Sequence, residues 1–71
     1  MPFERKFWNC DKPENFEKFR KIFLEHLNFI KEDIIQDTGE DIFFKNGIIV
    51  RIKDIIEEEK ILKVHYLIVY P

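Results

Sequence analysis

A chain of 71 residues with net charge −2 and a pI near 5.6 is too small for more than one core and too acidic to be a generic polyanion binder. Its single cysteine, Cys10, excludes a disulfide framework and a cysteine metal cluster, which fits a reducing, intracellular setting. With 45% apolar and 37% charged residues it is expected to fold as one unit over 1–71, although at this size a core alone leaves about 3–5 kcal/mol unless an oligomeric interface adds to it.

No Ala or Ser occurs, while Ile is present twelve times, Phe eight, and Lys and Glu nine each. That bias resembles the Lys/Glu enrichment of hyperthermophile proteins, and an AT-rich genome would produce much of it too. No apolar run approaches the roughly 18 residues that span a bilayer, and no leader pattern with a small-residue cleavage site opens the sequence. A cytoplasmic location without a membrane partner is the expectation.

In chain order, residues 3–8 form a candidate first strand with Phe3 and Phe7 on one side. Asp11, followed three residues later by Glu14, with Pro13 in the first turn, resembles a capping box that starts a helix. From there Phe16, Phe19, Phe23, Leu27, Ile30 and Ile34 recur at three- and four-residue steps and make one apolar stripe, widened by Ile22 and Phe29. Glu17, Lys18, Lys21, Glu25, Lys31 and Glu32 fill the polar side, with Glu14/Lys18 and Glu17/Lys21 in the favourable i, i+4 order. A turn over residues 37–41 then leads into a short strand at 42–45, and the segment around Ile35 is either an extra strand or the frayed helix end.

The last third reads as a meander. Asn46-Gly47 suits a two-residue type I′ turn, which would set Phe43 opposite Val50, Phe44 opposite Ile49 and Ile42 opposite Arg51. Residues 51–63 also fit a helical face in part, through Ile52, Ile55, Ile56 and Leu62. Strands fit better, because Ile48, Val50 and Ile52 alternate with Ile49, Arg51 and Lys53, and Leu62, Val64, Tyr66, Ile68 and Tyr70 with Ile61, Lys63, His65, Leu67 and Val69. Keeping the even positions of both strands on the core side requires an odd loop, which Glu57-Glu58-Glu59 supplies. A register centred on Glu59, with Lys53 opposite His65 and Ile55 opposite Lys63, avoids the like-charge pair Lys53/Lys63 that centring on Glu58 creates. The fold expected is α+β, two layers, in the order β-α-β-β-β, one long helix on an antiparallel sheet.

The helix-free side of that sheet would carry Ile42, Phe44, Ile49, Leu67 and Val69 at the Asn46-Gly47 end, and Arg51, Lys53, Lys63 and His65 beyond them. An exposed apolar patch on so small a domain points to association, so a homodimer through this face is the first reading, and cover by residues 3–8 the second. Phe44 with Arg51, Lys53, Lys63 and His65 also has the residue types that stack bases and neutralise phosphates, and a single-stranded RNA or DNA surface is the alternative, although no aromatic ribonucleoprotein motif is present. Such rows more often serve as a solvated face.

Enzymatic chemistry has less behind it. His26, near the apolar arc of the helix, reads as a satisfied core or interface histidine, and Cys10, just before the expected helix N-terminus, as a structural thiol. A small ribonuclease toxin built from a helix on a meander is the third reading, without a residue-by-residue match. Glu57, Glu58 and Glu59 with Asp54 lack the spaced oxygen ligands of a calcium loop, and Gly39 and Gly47 are the only glycines, so no phosphate-cradling loop exists. No metal and no cofactor are expected.

Overall fold

Strand alternation and the aromatic helix stripe both find their places in the structure, a computed structural model that describes residues 2–30 and 32–71. The chain runs β1 (Phe3–Asp11), α1 (Phe16–His26), a 3-10 turn (Leu27–Ile30), β2 (Ile34–Asp37), β3 (Asp41–Phe44), β4 (Ile49–Glu57) and β5 (Ile61–Val69). All five strands form one antiparallel sheet in the order β1-β5-β4-β3-β2, with α1 on one face. This is the expected α+β two-layer fold, with the extra strand near Ile35 realised as β2. The places expected for Lys31 and for the Phe29 side chain lie outside the described residues.

The helix begins at Asn15, whose side chain accepts the Lys18 N–H at 2.9 Å, four residues later than the Asp11/Glu14 pattern suggests. The reason is competition from the sheet: Asp11 pairs with Ile61, and the Lys12 N–H still donates to the Lys60 carbonyl at 2.9 Å. Glu14 nevertheless reaches Lys18 at 2.7 Å in the i, i+4 arrangement expected. Of the predicted stripe, Phe19, Phe23 and Leu27 are buried, Ile30 is half-buried, and Phe16 and Ile34 are exposed at the two ends.

These three helix residues meet Ile42, Phe44, Val50, Leu62, Val64, Tyr66 and Ile68 in the core, with Trp8 and Cys10 packed beside them. Ile42 and Phe44, expected on the helix-free face, are therefore core residues. The Phe44 N–H donates to Ile48 at 2.9 Å and the Gly47 N–H to Phe44 at 3.0 Å, so the loop is Lys45-Asn46-Gly47, three residues and not two. Such a loop places its last residue at positive φ, which Gly47 supplies at 89°. One more loop residue moves the register by one, pairing Ile42 with Val50 and Phe43 with Ile49, and Phe43 takes the outer place expected of its neighbours.

Between β4 and β5 the expected register holds from Ile49↔Val69 to Ile52↔Tyr66, and then a bulge at Lys53 shifts it. Beyond the bulge Asp54 faces His65, Ile55 faces Val64 and Ile56 faces Lys63, so the expected pairs Lys53/His65 and Ile55/Lys63 do not form. The extra residue also changes the loop parity: Glu57 and Glu58 belong to the ladder, with the Glu58 N–H bonded to Ile61 at 2.9 Å, and the turn is Glu59-Lys60. Residues 54–62 form no helix.

Candidate interaction face

Register determines what the helix-free side presents. Residues of opposite parity to Val64 and Tyr66 on β5, and their partners on β1, β4 and β3, make successive cross-strand rows. The first row is Phe3-Val69-Ile49-Phe43, apolar across four strands. The second is Arg5-Leu67-Arg51-Asp41, the third Phe7-His65-Asp54, and the fourth Asn9-Lys63-Ile56. β1 extends the sheet at its edge and does not fold over this face, so the expected cover by residues 3–8 is absent. It adds to the patch, with Phe3 53% and Phe7 77% exposed, alongside Ile56 at 54%.

Of the interface residues expected from sequence, Ile49, Leu67 and Val69 share this face, and Phe3 and Phe43 replace Ile42 and Phe44. Phe3 was missed because the pairing partner of β1 was not legible. Phe43 was missed because the loop length was wrong by one.

The expected nucleic-acid set is divided. Phe44 lies in the core at 5% exposure. Arg51 holds the Asp41 carboxylate with two nitrogens, at 2.8 and 3.1 Å, which raises the arginine pKa through that hydrogen bond and Coulomb attraction. Lys63 reaches Glu58 at 2.9 Å, Lys53 is exposed at the bulge, and His65 stacks under Phe7 with ring centres 4.6 Å apart. Counting Arg5, Arg51, Lys53 and Lys63 against Asp11, Asp41, Asp54 and Glu58, the face is balanced and not a phosphate-attracting stripe.

Polar chemistry inside the protein centres on His26. Its ring stacks on Trp8 at 4.6 Å, and its Nε2 hydrogen-bonds Tyr66 Oη at 2.8 Å beneath α1. His65 and Tyr66 face opposite sides of the sheet, as alternation requires. Burial lowers the His26 pKa below 6.5 and raises that of Tyr66 above 10.0. Below about pH 6.5 the unfolded chain therefore binds a proton that the folded imidazole resists, and stability falls with acidification. Above about pH 10 the unfolded tyrosine loses its proton first, and stability falls again. Urea midpoints across pH should show a plateau from about pH 6.5 to about pH 9, where the unfolded Cys10 thiol begins to ionise ahead of the buried one, and His26→Gln should flatten the acid limb. An acid limb unchanged in that variant would rule out His26 as its source.

Cys10 sits near the end of β1, five residues before the helix cap, and not at a helix N-terminus as its sequence position suggested. Burial, then the neighbouring Asp11, push its thiol pKa up, which disfavours a nucleophilic thiolate. Among the described residues no group of three or more His, Cys, Asp and Glu side chains is placed to hold a metal, and no helix is long and apolar enough to cross a membrane. A cleft between the start of α1 and the β4-β5 hairpin, lined by Phe16, Phe19, Ile55 and Leu62, is bridged at its rim by Lys12 and Glu57 at 2.6 Å. Comparison with protein-family models, with curated proteins and with solved structures found no match to this chain.

Proposed function

We propose that the protein is a non-enzymatic interaction or regulatory protein whose working unit is a homo-oligomer, joined through the helix-free sheet face. The observation that carries this reading is the row Phe3-Val69-Ile49-Phe43, apolar across four strands, with Leu67 next to it and no element of the described residues over it. Apolar surface of that continuity on a small domain is stabilised by association, and a twofold contact lets one patch cover its own copy.

Leu67→Glu tests the face without threatening the fold, because residue 67 pairs with Arg5 on one side and Arg51 on the other. The new carboxylate gains two cationic neighbours in the protomer and places a charge in the contact. Light scattering at high micromolar concentration should give a multiple of the monomer mass for the wild type. The variant should keep its circular dichroism spectrum and associate at least about tenfold more weakly, roughly 1.4 kcal/mol. A monomeric wild type, or a variant of unchanged affinity, overturns the reading.

A second reading, a single-stranded nucleic-acid surface, has one observation in its favour: the exposed Phe7 ring stacked on His65, beside Arg5 on the same face of β1. Salt-dependent oligonucleotide binding that is lost in Phe7→Ala and in Lys53→Glu would select it.

A further inference from the structure

We propose that the free edge of β1 pairs with β1 of a second copy, antiparallel about a twofold axis at Trp8, joining two five-stranded sheets into one of ten strands. This contact uses the backbone rim of the sheet, and the side chains that set its register lie along the β1 margin of the helix-free face.

The two edges of the sheet are unlike. β2 is four residues long and broken by an irregularity between Ile34 and Gln36, the kind of edge that resists pairing, whereas β1 runs nine residues in unbroken register with β5. Parity fixes what β1 exposes. The Tyr70 N–H donates to the Pro2 carbonyl at 3.0 Å and the Lys12 N–H to Lys60 at 2.9 Å, so the pairs Pro2/Tyr70 and Lys12/Lys60 are hydrogen-bonded ones. Hydrogen-bonded pairs recur every second residue, so the even positions of β1 bond to β5 and the odd ones turn their N–H and C=O groups outward. Arg5, Phe7, Asn9 and Asp11 thus offer an unused ladder.

Side chains choose the register. Glu4 is held by Lys6 and by the Tyr70 hydroxyl, and Lys12 by Glu57. By contrast Arg5 and Asp11 are exposed and make no ion pair or side-chain hydrogen bond among the described residues. With Trp8 on the axis, Arg5 lies opposite the second copy's Asp11 and Phe7 opposite its Asn9, each twice by symmetry. The outward groups of these positions then exchange about eight backbone hydrogen bonds. Glu4 falls opposite Lys12 in the same register. Moving the axis to Phe7 sets Arg5 against Asn9 and Asp11 against Phe3, and moving it to Asn9 sets Lys6 against Lys12. Only the Trp8 register pairs both unpartnered charges with opposite ones and opposes no like charges.

Residue-resolved amide exchange, read beside solution mass, is the decisive experiment. In the associated wild type the amides of Arg5, Phe7, Asn9 and Asp11 should be protected together with the even positions, and on dilution only the odd ones should lose protection. Arg5→Glu should weaken association at least tenfold and release the same amides, and the exchange variant Arg5→Glu/Asp11→Arg should restore both. Odd amides that exchange freely at every concentration, or a double variant no better than Arg5→Glu, overturn the proposal. Leu67→Glu separates it from the face reading. If that variant removes association while Arg5→Glu does not, the face stands and the edge contact fails; the reverse result retains the edge and removes the face.

Discussion

Phe23→Ala is expected to unfold most of the protein at room temperature. Phe23 is 0% exposed at the middle of α1, and its ring meets Tyr66 edge-on at 5.2 Å, with Trp8 at 5.7 Å and Phe19 at 5.8 Å. Truncating a buried Phe costs about 3–5 kcal/mol in lost transfer energy and residual cavity. A single core of this size holds a reserve of about the same amount, so the folded fraction becomes a minority. The line Phe19, Phe23, Leu27 also makes the buried apolar contact of the helix with the sheet, and when its centre is removed the polar contacts His26–Tyr66 and Arg20–Asp37 do not replace that apolar burial. Phe16 provides the control, because it sits on the same helix yet is 60% exposed, and Phe16→Ala should cost under about 1 kcal/mol. Far-ultraviolet circular dichroism and urea titration distinguish the two. A Phe23→Ala protein that unfolds cooperatively within 1 kcal/mol of wild type would show that the helix is held by something other than this aromatic line.

How much of this was legible in the sequence depended on whether a burial pattern extended over a whole element. β5 was readable because Leu62, Val64, Tyr66 and Ile68 are all buried on one face, so alternation persists for nine residues. The helix stripe was readable for the same reason at its centre and failed at its ends. There Asn15 supplied the cap, Phe16 stayed exposed and Ile34 passed into β2. Loop arithmetic was the weak link. Asn46-Gly47 fits a two-residue turn, but a three-residue loop also uses Gly47 at positive φ and lets the Asn46 side chain accept the Ile48 N–H at 3.0 Å. What separates them is burial: the longer loop puts both Ile42 and Phe44 in the core, and the shorter one only Phe43. The bulge at Lys53 had no signal of its own, since it carries no Gly and interrupts no apolar run. The longer loop moved Ile42 and Phe44 inward and brought Phe43 outward, and the bulge set Ile56 in place of Ile55 opposite Lys63, while Ile49, Leu67 and Val69 stayed where alternation set them. The partner of β1 could not be read locally, because joining residues 3–11 to 61–69 is a closure across nearly the whole chain.

A contact between distant residues also sets the second large effect. Asp37 ends β2 opposite Ile42, which turns its carboxylate to the helix side, and there it pairs with Arg20 of α1. The Arg20 side chain is only 14% exposed, and its Nη1 is buried with no hydrogen-bond partner among the described residues, so Asp37 is its main compensation. The same carboxylate accepts the Gly39 N–H at 2.9 Å through its other oxygen, and Gly39 turns the chain into β3 at φ 96°. Asp37→Ala removes both interactions, and stranding a largely buried guanidinium is strongly unfavourable, so a loss of about 2–3 kcal/mol is expected after allowing for the partial exposure of the carboxylate. Asp37→Asn keeps an acceptor for Gly39 and should lose about half as much. Arg20→Met in the Asp37→Ala background removes the stranded charge and should recover most of the ion-pair share, since a well-packed apolar pair is often as stable as a buried ionic one. Urea midpoints for the two single variants and the double close the cycle, and because the guanidinium is largely buried while the carboxylate is partly exposed, the coupling should weaken only in part in 1 M salt. A coupling near zero would mean that α1 and the β2 edge are held together by packing alone, and that the ion pair contributes no stability of its own.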